Sequence, residues 1–468
     1  MTLLASTIKT VLNKRILLTR RSISANFKAS PNGDSEKNFS RRKRLSLGGK
    51  TKGVLTFAIV VALLISFLVS ASYQSPQLSR WLGIDFVQPT QDRNTGLILA
   101  GQPVNSSVWL KVAADAWAYF QPGVGVDAKT GLPYASGTNF EAFTEWDLGT
   151  YIQAVIDAQK LGLISTEGPW GSSVRLQKVV DFLENRPLNA STGYPFWFYD
   201  ATNGQDCHSM SDKATEVVDG ADMGRLFVAL NNLRVYNASL APSIDYIVYN
   251  QSNYAALLPG IEEGAASDSV YAYLIYSGYA CFWSQQVGNV PNDVVANIAE
   301  AQNIKTYGIS LPDVPITCDP LLFSVFEPGN CNPQLSSLMK QVYLAHEAYY
   351  DATGKYVAFC EGNSFTSQYL YEWVVAPNGQ AWKIGSTVPN KYLNMDPILY
   401  TKAAFGFLAL YNSTFSQNLV AYMLKMLPDP SARGFCDGAD SSGRCTPGTG
   451  CDTNGLILDT ALYAVDNS

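Results

Sequence analysis

Apolar residues recur at three- and four-residue intervals along most of the chain beyond residue 105, which is the pattern of helices that bury one face. In the first such stretch, Val108, Val112, Ala116 and Trp117 fall on one side. The spacing predicts helices over residues 106–120, 145–163, 174–183, 222–236, 267–283, 335–350, 396–411, 417–427 and 456–465. Helices of this length, without regular strand partners between them, favour stacked antiparallel helix pairs.

One stretch departs from the helical pattern. Residues 369–375 and 380–384 are rich in β-forming residues, and the turn residues 376–379 between them read Ala-Pro-Asn-Gly, so a β-hairpin is predicted here. The fold class is therefore predicted to be all-α dominated, an array of helical hairpins with a small β-hairpin insertion. Asp147, Asp222, Asp396 and Asp452 stand near the starts of four predicted helices, and a ring of helical hairpins would turn those starts toward one face.

A long apolar run precedes the helical region. Residues 53–79 contain no charged side chain, and thirteen Lys or Arg lie before them against two acidic residues. A spanning helix needs about 20 apolar residues, and positive residues stay in the cytoplasm. The pattern predicts one transmembrane helix over residues 53–73 with a cytoplasmic N-terminus. A cleaved signal peptide is the alternative, since residues 69–71 resemble a cleavage site, but a 52-residue leader is too long for one.

The remaining boundaries follow from composition. Residues 1–52 form a basic cytoplasmic tail, residues 74–100 a polar linker and residues 101–468 one exterior domain. Beyond residue 52 there are 20 basic and 37 acidic residues, a net charge near −17 that argues against nucleic-acid binding. The predicted protein is a single-pass protein of the cell membrane, in contact with the lipid bilayer through residues 53–73 and with its C-terminal domain extracellular.

The cysteines and sequons agree with an exterior location. All eight cysteines follow the apolar run, and their even number predicts disulfides, at least three of them. Pairing of Cys318 with Cys331, and within residues 436–451, is plausible, with buried thiols as the alternative. The candidates are Cys207, Cys281, Cys318, Cys331, Cys360, Cys436, Cys445 and Cys451. Asn105, Asn189, Asn237, Asn250 and Asn412 begin N-x-[ST] glycosylation motifs.

Most catalytic constellations are missing from the sequence. With His208 and His346 as its two histidines, the chain has no HExxH motif and no histidine-rich metal site, and it lacks the G-x-S-x-G and dinucleotide-binding fingerprints. His346, in an apolar helix, is more consistent with a core or surface residue than with a base. Neither a cofactor nor a metal is predicted. Carboxylates beside aromatic residues remain, and exterior chemistry built on these groups is mostly sugar chemistry.

Two candidate segments begin predicted helices. In the first, Asp147 and Tyr151 are one turn apart and could face a cleft, while a capping box with Thr144 explains Asp147 equally well. In the second, Asp219 and Asp222 could supply a base that Arg225 holds ionised. The alternative, a capped helix start, is slightly favoured there.

Two further segments carry acids in strands or loops. Glu361 precedes a Tyr371-Glu372-Trp373 run, and a Glu beside Trp can act as a general acid because desolvation raises its pKa. A solvent-facing strand residue is the alternative for Glu372. A Gly-rich loop with Asp437 and Asp440 does not fit the EF-hand spacing, so a structural loop is favoured over a Ca²⁺ site.

These segments resemble one family, the domain of unknown function 3131. The similar pieces are residues 144–152, 158–164, 222–230, 361–362, 371–373, 402–411 and 453–459, in order and at similar spacing. The resemblance covers the chain from about Val108 onward and implies an (α/α)₆ toroid, an architecture that many glycoside hydrolases share. It carries over no catalytic residue. Asp459 stands where the family pattern has Glu, and the cysteines depart from that pattern.

The sequence therefore predicts an anchored α-toroid that is a glycoside hydrolase-like enzyme acting on envelope or matrix polysaccharide. The alternatives are a glycan-binding surface protein without catalysis and a structural surface protein. An acid pair about 5–10 Å apart in an aromatic-lined cleft would favour the enzyme. The catalytic candidates are Asp147 and Glu372, then Asp222 and Glu361; the substrate-binding candidates are Trp146, Tyr151, Arg225, Tyr371 and Trp373.

Overall fold

A computed structural model describes residues 98–99, 102–137, 140–207, 218–252, 269–283, 290–332, 334–365, 368–386 and 391–467. The predicted basic tail, the predicted transmembrane segment over residues 53–73 and nearly all of the predicted linker lie outside these residues. Among the helices of the described residues, none combines the length and the apolar composition that a membrane span needs.

The described residues contain twelve α-helices. They are α1 (Ser106–Trp117), α2 (Glu145–Lys160), α3 (Ser172–Asn185), α4 (Gly220–Tyr236), α5 (Ala241–Tyr246), α6 (Ala272–Tyr276), α7 (Val290–Glu300), α8 (Cys318–Phe326), α9 (Leu335–Thr353), α10 (Thr401–Tyr411), α11 (Thr414–Leu424) and α12 (Cys451–Asp466). Short π-helical turns extend α5 over Ile247–Gln251 and α6 over Ser277–Cys281.

The even-numbered helices form a closed ring. Helix α2 packs on α4, α4 on α6, α6 on α8, α8 on α10 and α10 on α12, and α12 returns to pack on α2. Each odd-numbered helix packs against an even-numbered neighbour: α1 on α12, α3 on α2, α5 on α4, α7 on α6, α9 on α8 and α11 on α10. An inner helix such as α2 is buried nearly all round, whereas an outer helix such as α3 buries one stripe. The chain thus alternates between an outer and an inner ring of helices.

Two glycines allow inner helices to approach each other closely. A Cβ atom at Gly278 would lie 2.4 Å from the backbone oxygen of Gly224, so α4 and the turn that follows α6 touch through their backbones. Real Cβ atoms do not approach other atoms this closely, so a larger residue at either position would push the helices apart.

The predicted hairpin is present and is part of a larger sheet. Strand β8 (Tyr369–Val375) pairs antiparallel with β9 (Ala381–Ser386). The sheet is extended by β7 (Glu361–Asn363) beside β8 and by β10 (Tyr392–Leu393) beside β9. Along β8, Tyr369, Tyr371 and Trp373 are partly exposed, whereas the residues that alternate with them are buried. The other strands, in pairs, are β1 (Ile98–Leu99) with β2 (Gln102–Pro103), β3 (Ala142–Phe143) with β4 (Tyr199–Asp200), β5 (Asn303–Thr306) with β6 (Ile309–Pro312), and β11 (Leu399–Tyr400) with β12 (Gly438–Ala439).

The described residues contain two disulfides. Cys281 pairs with Cys331, and Cys436 pairs with Cys445 within the predicted segment 436–451. The predicted Cys318–Cys331 bond is wrong, because Cys318 is a fully buried thiol at the start of α8. Cys360 and Cys451 are buried thiols too, so the expectation of at least three disulfides is also wrong.

The glycosylation motifs occupy different environments. Asn105 and Asn237 cap helices through their side-chain oxygens, and Asn250 and Asn412 are exposed. Only 3 % of the surface of Asn189 is exposed, and its side-chain oxygen accepts hydrogen bonds from the backbone N–H and the hydroxyl of Ser191. Glycosylation stays a prediction, and burial makes Asn189 the poorest acceptor of the five.

Candidate active site

The starts of the inner helices bring a group of charged side chains together. Four inner helices place an acid in their first turn, α10 places a lysine there, and Glu361 reaches the same place from β7. Ion pairs, hydrogen bonds or mutual electrostatic effects connect the members. This carboxylate cluster consists of Asp147, Asp222, Asp319, Glu361, Asp452 and Lys402.

Lys402 is the cation at the centre of the cluster. Its ammonium is fully buried and forms ion pairs with Asp319 and Asp452. Burial by itself would lower the pKa of Lys402, but the two carboxylates raise it well above its ordinary value. The indole Nε1 of Trp146 donates a second hydrogen bond to Asp452, over 3.0 Å. Both oxygens of Asp452 therefore face donors, although its side chain keeps 16 % of its surface exposed.

Glu361 lies beside the Lys402 ion pairs. It is buried at the edge of the sheet, where its Oε2 accepts a hydrogen bond from the hydroxyl of Tyr271, the residue before α6. Burial raises the pKa of Glu361 well above its ordinary value, and the neighbouring Asp319 adds to this effect. Tyr371 is the cross-strand partner of Glu361, so an aromatic ring lies next to this acid.

Asp147 serves as a helix cap and as a member of the cluster. Its Oδ2 accepts a hydrogen bond from the backbone N–H of Thr144 over 3.0 Å, and the hydroxyl of Thr144 pairs back to the Asp147 N–H as a capping box. Burial raises the pKa of Asp147 to about 7, and the charge of Asp452 contributes to the rise. The capping box predicted from the sequence is therefore confirmed, whereas Tyr151, one turn further along, does not share the site with Asp147.

Asp222 lies in the first turn of α4, three residues after the residue that caps this helix. Asp219 caps α4, and its Oδ1 accepts hydrogen bonds from the backbone N–H groups of Ala221 and Asp222 over 2.7 and 2.9 Å. The carboxylate of Asp222 accepts none from the described residues, and burial followed by the charges of Asp219 and Asp147 raises its pKa well above its ordinary value. Asp219 is exposed and Asp222 is partly exposed, and we call this solvent-accessible side of the cluster the recess.

Three of the predicted substrate-binding residues lie at this recess. Trp146 contacts Asp452, while Tyr371 and Trp373 are partly exposed and stack on each other with ring centres 5.5 Å apart. The other two are sealed in the core. The hydroxyl of Tyr151 bonds to Arg175, and Arg225 forms a buried ion pair with Glu327, so neither side chain reaches the recess.

Glu372 points away from the cluster. Side chains alternate along a strand, so Glu372 faces the opposite side of β8 from Tyr371 and Trp373. It is fully buried, and its Oε1 accepts a hydrogen bond from the backbone N–H of Ile398 over 2.7 Å. The structure therefore brings Asp147, Asp222 and Glu361 together and leaves Glu372 apart from them.

The remaining candidates have structural surroundings. His346 is buried and hydrogen-bonded to Phe359, and burial lowers its pKa to about 4, which matches a core residue. Asp437 accepts hydrogen bonds from Asn363 and Thr453, which pins the Gly-rich loop. Among the described residues no group of His, Cys, Asp or Glu side chains is arranged to hold a metal ion.

Three members of the site were not among the catalytic candidates from the sequence: Asp319, Lys402 and Asp452. The position of Asp452 near a helix start was visible, because the sequence shows aspartates recurring at helix starts. Asp396, which shares that feature, is exposed and lies outside the cluster, and α10 contributes Lys402 instead. Helix α8 was not predicted from the sequence, so Asp319 could not be recognised as a residue at a helix start.

Known proteins show related sequence and architecture. The family model described as "Protein of unknown function (DUF3131)" matches residues 111–268 and 277–467. No curated protein is significantly similar in sequence. Solved structures share the fold at low identity. They include a glucoamylase-like protein from Bacteroides caccae (15 % identity, TM-score 0.57, 77 % of this chain and 95 % of that one). They also include endo-β-1,2-glucanases from Chitinophaga pinensis (13 %, 0.57, 77 % and 93 %) and Talaromyces funiculosus (11 %, 0.54, 77 % and 85 %).

Proposed function

The chain belongs to the DUF3131 family, whose model spans most of its helical region, and on that premise we propose that it is a glycoside hydrolase acting on a polysaccharide. The observation that carries the proposal is the carboxylate cluster at the starts of the inner helices. It contains a partly exposed acid, Asp222, which accepts no hydrogen bond from a described residue, and also Asp319 and Asp452, which pair with Lys402. Glycoside hydrolysis needs one protonated acid and one ionised carboxylate.

Asp222 suits the role of general acid. A general acid must carry its proton near neutral pH and must reach the oxygen of the leaving group. Burial and the adjacent carboxylates raise the pKa of Asp222, and its partial exposure leaves the proton accessible to a ligand in the recess. Since no described residue donates a hydrogen bond to its carboxylate, nothing in the described structure holds the ionised form.

Asp452 suits the opposing role. The ammonium of Lys402 and the indole N–H of Trp146 both donate to its carboxylate, and these two bonds fix its orientation. Its partial exposure lets it face a water molecule or a sugar carbon. Glu361 and Asp147, two buried acids of the same cluster, would influence the protonation of Asp222 through their charges. Glu372, on the far face of β8, is left out of the proposed mechanism.

The stacked pair Tyr371 and Trp373 would supply part of the sugar-binding surface. Aromatic faces and edges at a cleft offer apolar contact to sugar C–H groups, and Tyr also offers a hydroxyl. Trp373 lies over Gly385 of the neighbouring strand: a Cβ there would be 3.1 Å from the indole nitrogen. The glycine therefore keeps space for the ring on the face of the sheet that carries Tyr371.

The test is the release of reducing ends from envelope and matrix polysaccharides by the purified full-length chain. We expect wild type to release them and Asp222→Asn and Asp452→Asn to lose most of the rate. Asp181→Asn, an exposed carboxylate change on outer helix α3, is the matched control and should keep full activity. If wild type releases nothing from any glycan it binds, the hydrolase proposal is wrong.

A glycan-binding protein without catalysis is the second candidate, favoured by one observation. Asp147 and Asp219 both cap helices, so part of the acidity of the site has a structural explanation. In that case Asp222→Asn would leave glycan binding and thermal stability as they are, and wild type would release no reducing ends.

We also propose that residues 53–73 anchor the protein in the cell membrane with the catalytic domain outside. The support is the apolar run and the thirteen basic residues before it. A tag placed after Ser468 should be accessible to protease on intact cells, and a tag placed before Met1 should be protected. The reverse pattern would overturn this orientation.

A further inference from the structure

One face of the four-stranded sheet carries a row of aromatic side chains. Tyr369, Tyr371 and Trp373 alternate along β8 with buried residues, and all three are partly exposed. The ring centres of Tyr369 and Tyr371 lie 5.3 Å apart, and those of Tyr371 and Trp373 lie 5.5 Å apart. Alternate residues of a strand are spaced by about 7 Å, so the three positions extend over more than a single sugar ring. We call these three residues the aromatic row.

The carboxylate cluster lies beside the first two residues of the aromatic row. Tyr371 pairs across the sheet with Glu361, which belongs to the cluster. Burial raises the pKa of the Tyr371 hydroxyl, and the charges of Glu361 and Asp222 add to the rise. Burial also raises the pKa of Tyr369, and here the charges of Glu361 and Asp452 contribute. The two tyrosines are therefore within electrostatic range of both proposed catalytic acids.

Trp373 stands at the other end of the aromatic row. Strand β7 pairs with residues 369–371, so Trp373 lies one step beyond the part of β8 that faces Glu361. Its cross-strand partner on β9 is Lys383, which is partly exposed on the same face of the sheet. Among the described residues, none pairs with the ammonium of Lys383 or accepts a hydrogen bond from the indole N–H of Trp373. Both donors are therefore available to a ligand.

We propose that Trp373 and Lys383 form a distal subsite for a sugar residue beyond those held at the carboxylate cluster, so that the site selects long glycan chains over short oligosaccharides. The inference rests on the proposed glycan-directed function and specifies the substrate as a linear chain. The indole offers an apolar surface to sugar C–H groups, and the ammonium and the indole N–H offer donors to hydroxyl oxygens. A chain along the aromatic row would contact Trp373 and the cluster at once, whereas a short oligosaccharide at the cluster would leave Trp373 uncovered.

The experiment measures binding and cleavage as a function of chain length. The probes are linear gluco-oligosaccharides of several linkages and size-graded fragments of envelope and matrix polysaccharides, from disaccharide to octasaccharide. Each is titrated with the full-length protein, and the initial rate of reducing-end release is measured in the same series. For wild type we expect the affinity to rise with chain length and to level off once the chain covers Trp373.

Two variants remove the proposed subsite. Trp373→Ala should weaken binding of the longest fragments about tenfold, because the contact with one aromatic ring is lost, and should affect the shortest fragments least. Lys383→Met keeps the apolar stem of the side chain and removes its ammonium, so a smaller loss, again largest for long fragments, is expected. Tyr463→Ala is the control and should change neither, because Tyr463 is an exposed aromatic residue near the end of α12, away from the helix starts.

The outcomes separate this inference from the proposed hydrolase. Fragments that bind more tightly with length but are not cleaved would overturn the hydrolase and support the inference. Wild-type affinity that does not depend on chain length would overturn the inference while leaving hydrolysis intact. An equal loss for short and long fragments in Trp373→Ala would place the indole at the central site, which also overturns the inference. Failure to bind any fragment would overturn both. Thermal unfolding checks the fold of each variant, and Lys383→Met decides by the same comparison if Trp373→Ala does not fold.

Discussion

The inner ring contains two groups of buried acids, and they differ in their access to solvent. The carboxylate cluster lies at the helix starts and includes the partly exposed Asp222 and Asp452. The second group, the core acid cluster, lies further along the inner helices. It consists of Asp157, Glu327 and Asp459 with Arg225, and every member is more than nine-tenths buried.

Burial raises acid pKa values in both groups, so a raised pKa does not distinguish a site from a core. In the core acid cluster burial raises the pKa of Asp157 and Asp459 well above the ordinary value and that of Glu327 to about 7. Arg225 pairs with Glu327 there, and the side-chain amide of Gln153 donates to Asp157 over 2.7 Å. Unpaired carboxylate oxygens do not distinguish them either, since neither oxygen of the buried Asp459 has a hydrogen-bond partner among the described residues. Solvent access is what marks the cluster at the helix starts as the candidate site.

The largest expected difference between the two groups is in catalysis. Asp222→Asn should lower the rate of glycan hydrolysis by about 10² to 10⁴, the range for loss of a general acid. Its effect on the free energy of unfolding should be small, because the carboxylate makes no hydrogen bond with a described residue. Steady-state rates and thermal unfolding of the same preparation measure both.

The matched change in the core acid cluster is Asp459→Asn. Because Asp459 is sealed from the recess, we expect hydrolysis per folded molecule to stay within a fewfold of wild type. Equal loss of rate in Asp222→Asn and Asp459→Asn would show that solvent access is the wrong criterion.

The second difference is in stability. Arg225→Met should lower the free energy of unfolding by about 3–5 kcal/mol, because removing one partner of a buried ion pair leaves Glu327 uncompensated. Arg225 also stacks on Phe323, with its guanidinium 4.5 Å from the ring centre, so packing is lost too. Chemical denaturation measures the change. Arg234→Met, which breaks an exposed pair with Asp245, is the control and should cost under about 1 kcal/mol.

The third difference concerns pH. The folded-state pKa values of Asp157, Glu327 and Asp459 lie above those of the unfolded chain, so the folded state binds more protons. Their contribution to stability is full below about pH 4 and is lost as pH rises through the folded pKa values, about 7 for Glu327. Asp459→Asn should flatten the fall in thermal stability between about pH 4 and 7. An unchanged slope would show that the core acid cluster does not take up protons on folding.

The sequence predicted the inner-helix starts better than it predicted which face each acid occupies. Periodicity located α2, α4 and α12, and it brought Asp147 and Asp222 to the same place. From the sequence, Glu372 was grouped with Glu361, but the pairing of β7 with β8 separates them. Glu361 pairs with Tyr371, so Glu372, the next residue, faces the other side of the sheet. This register depends on tertiary packing. Sequence alone could show the alternation along β8 but not which face meets the cluster.

The other differences come from burial in the closed ring. The helical period alone would place Tyr151 beside Asp147 and Arg225 beside Asp222. Both side chains instead lie further into the inner helices, where packing on all sides buries them. Helix α8 was missed because its nine residues are too short for a clear apolar period. With it, Asp319 was lost from the prediction.

The smallest expected effect tests how strongly the open cluster depends on a single hydrogen bond. Tyr271→Phe removes the hydroxyl that donates to Glu361, and water can replace it because Tyr271 is partly exposed. The free energy of unfolding should fall by about 1 kcal/mol and the hydrolysis rate by less than tenfold. Tyr273→Phe, two residues further along the chain in α6, is the control, because no described residue bonds to its hydroxyl. A loss for Tyr271→Phe as large as that for Asp222→Asn would mean that Glu361, held by this tyrosine, takes part in the reaction. The roles proposed for Asp222 and Asp452 would then have to be reassigned.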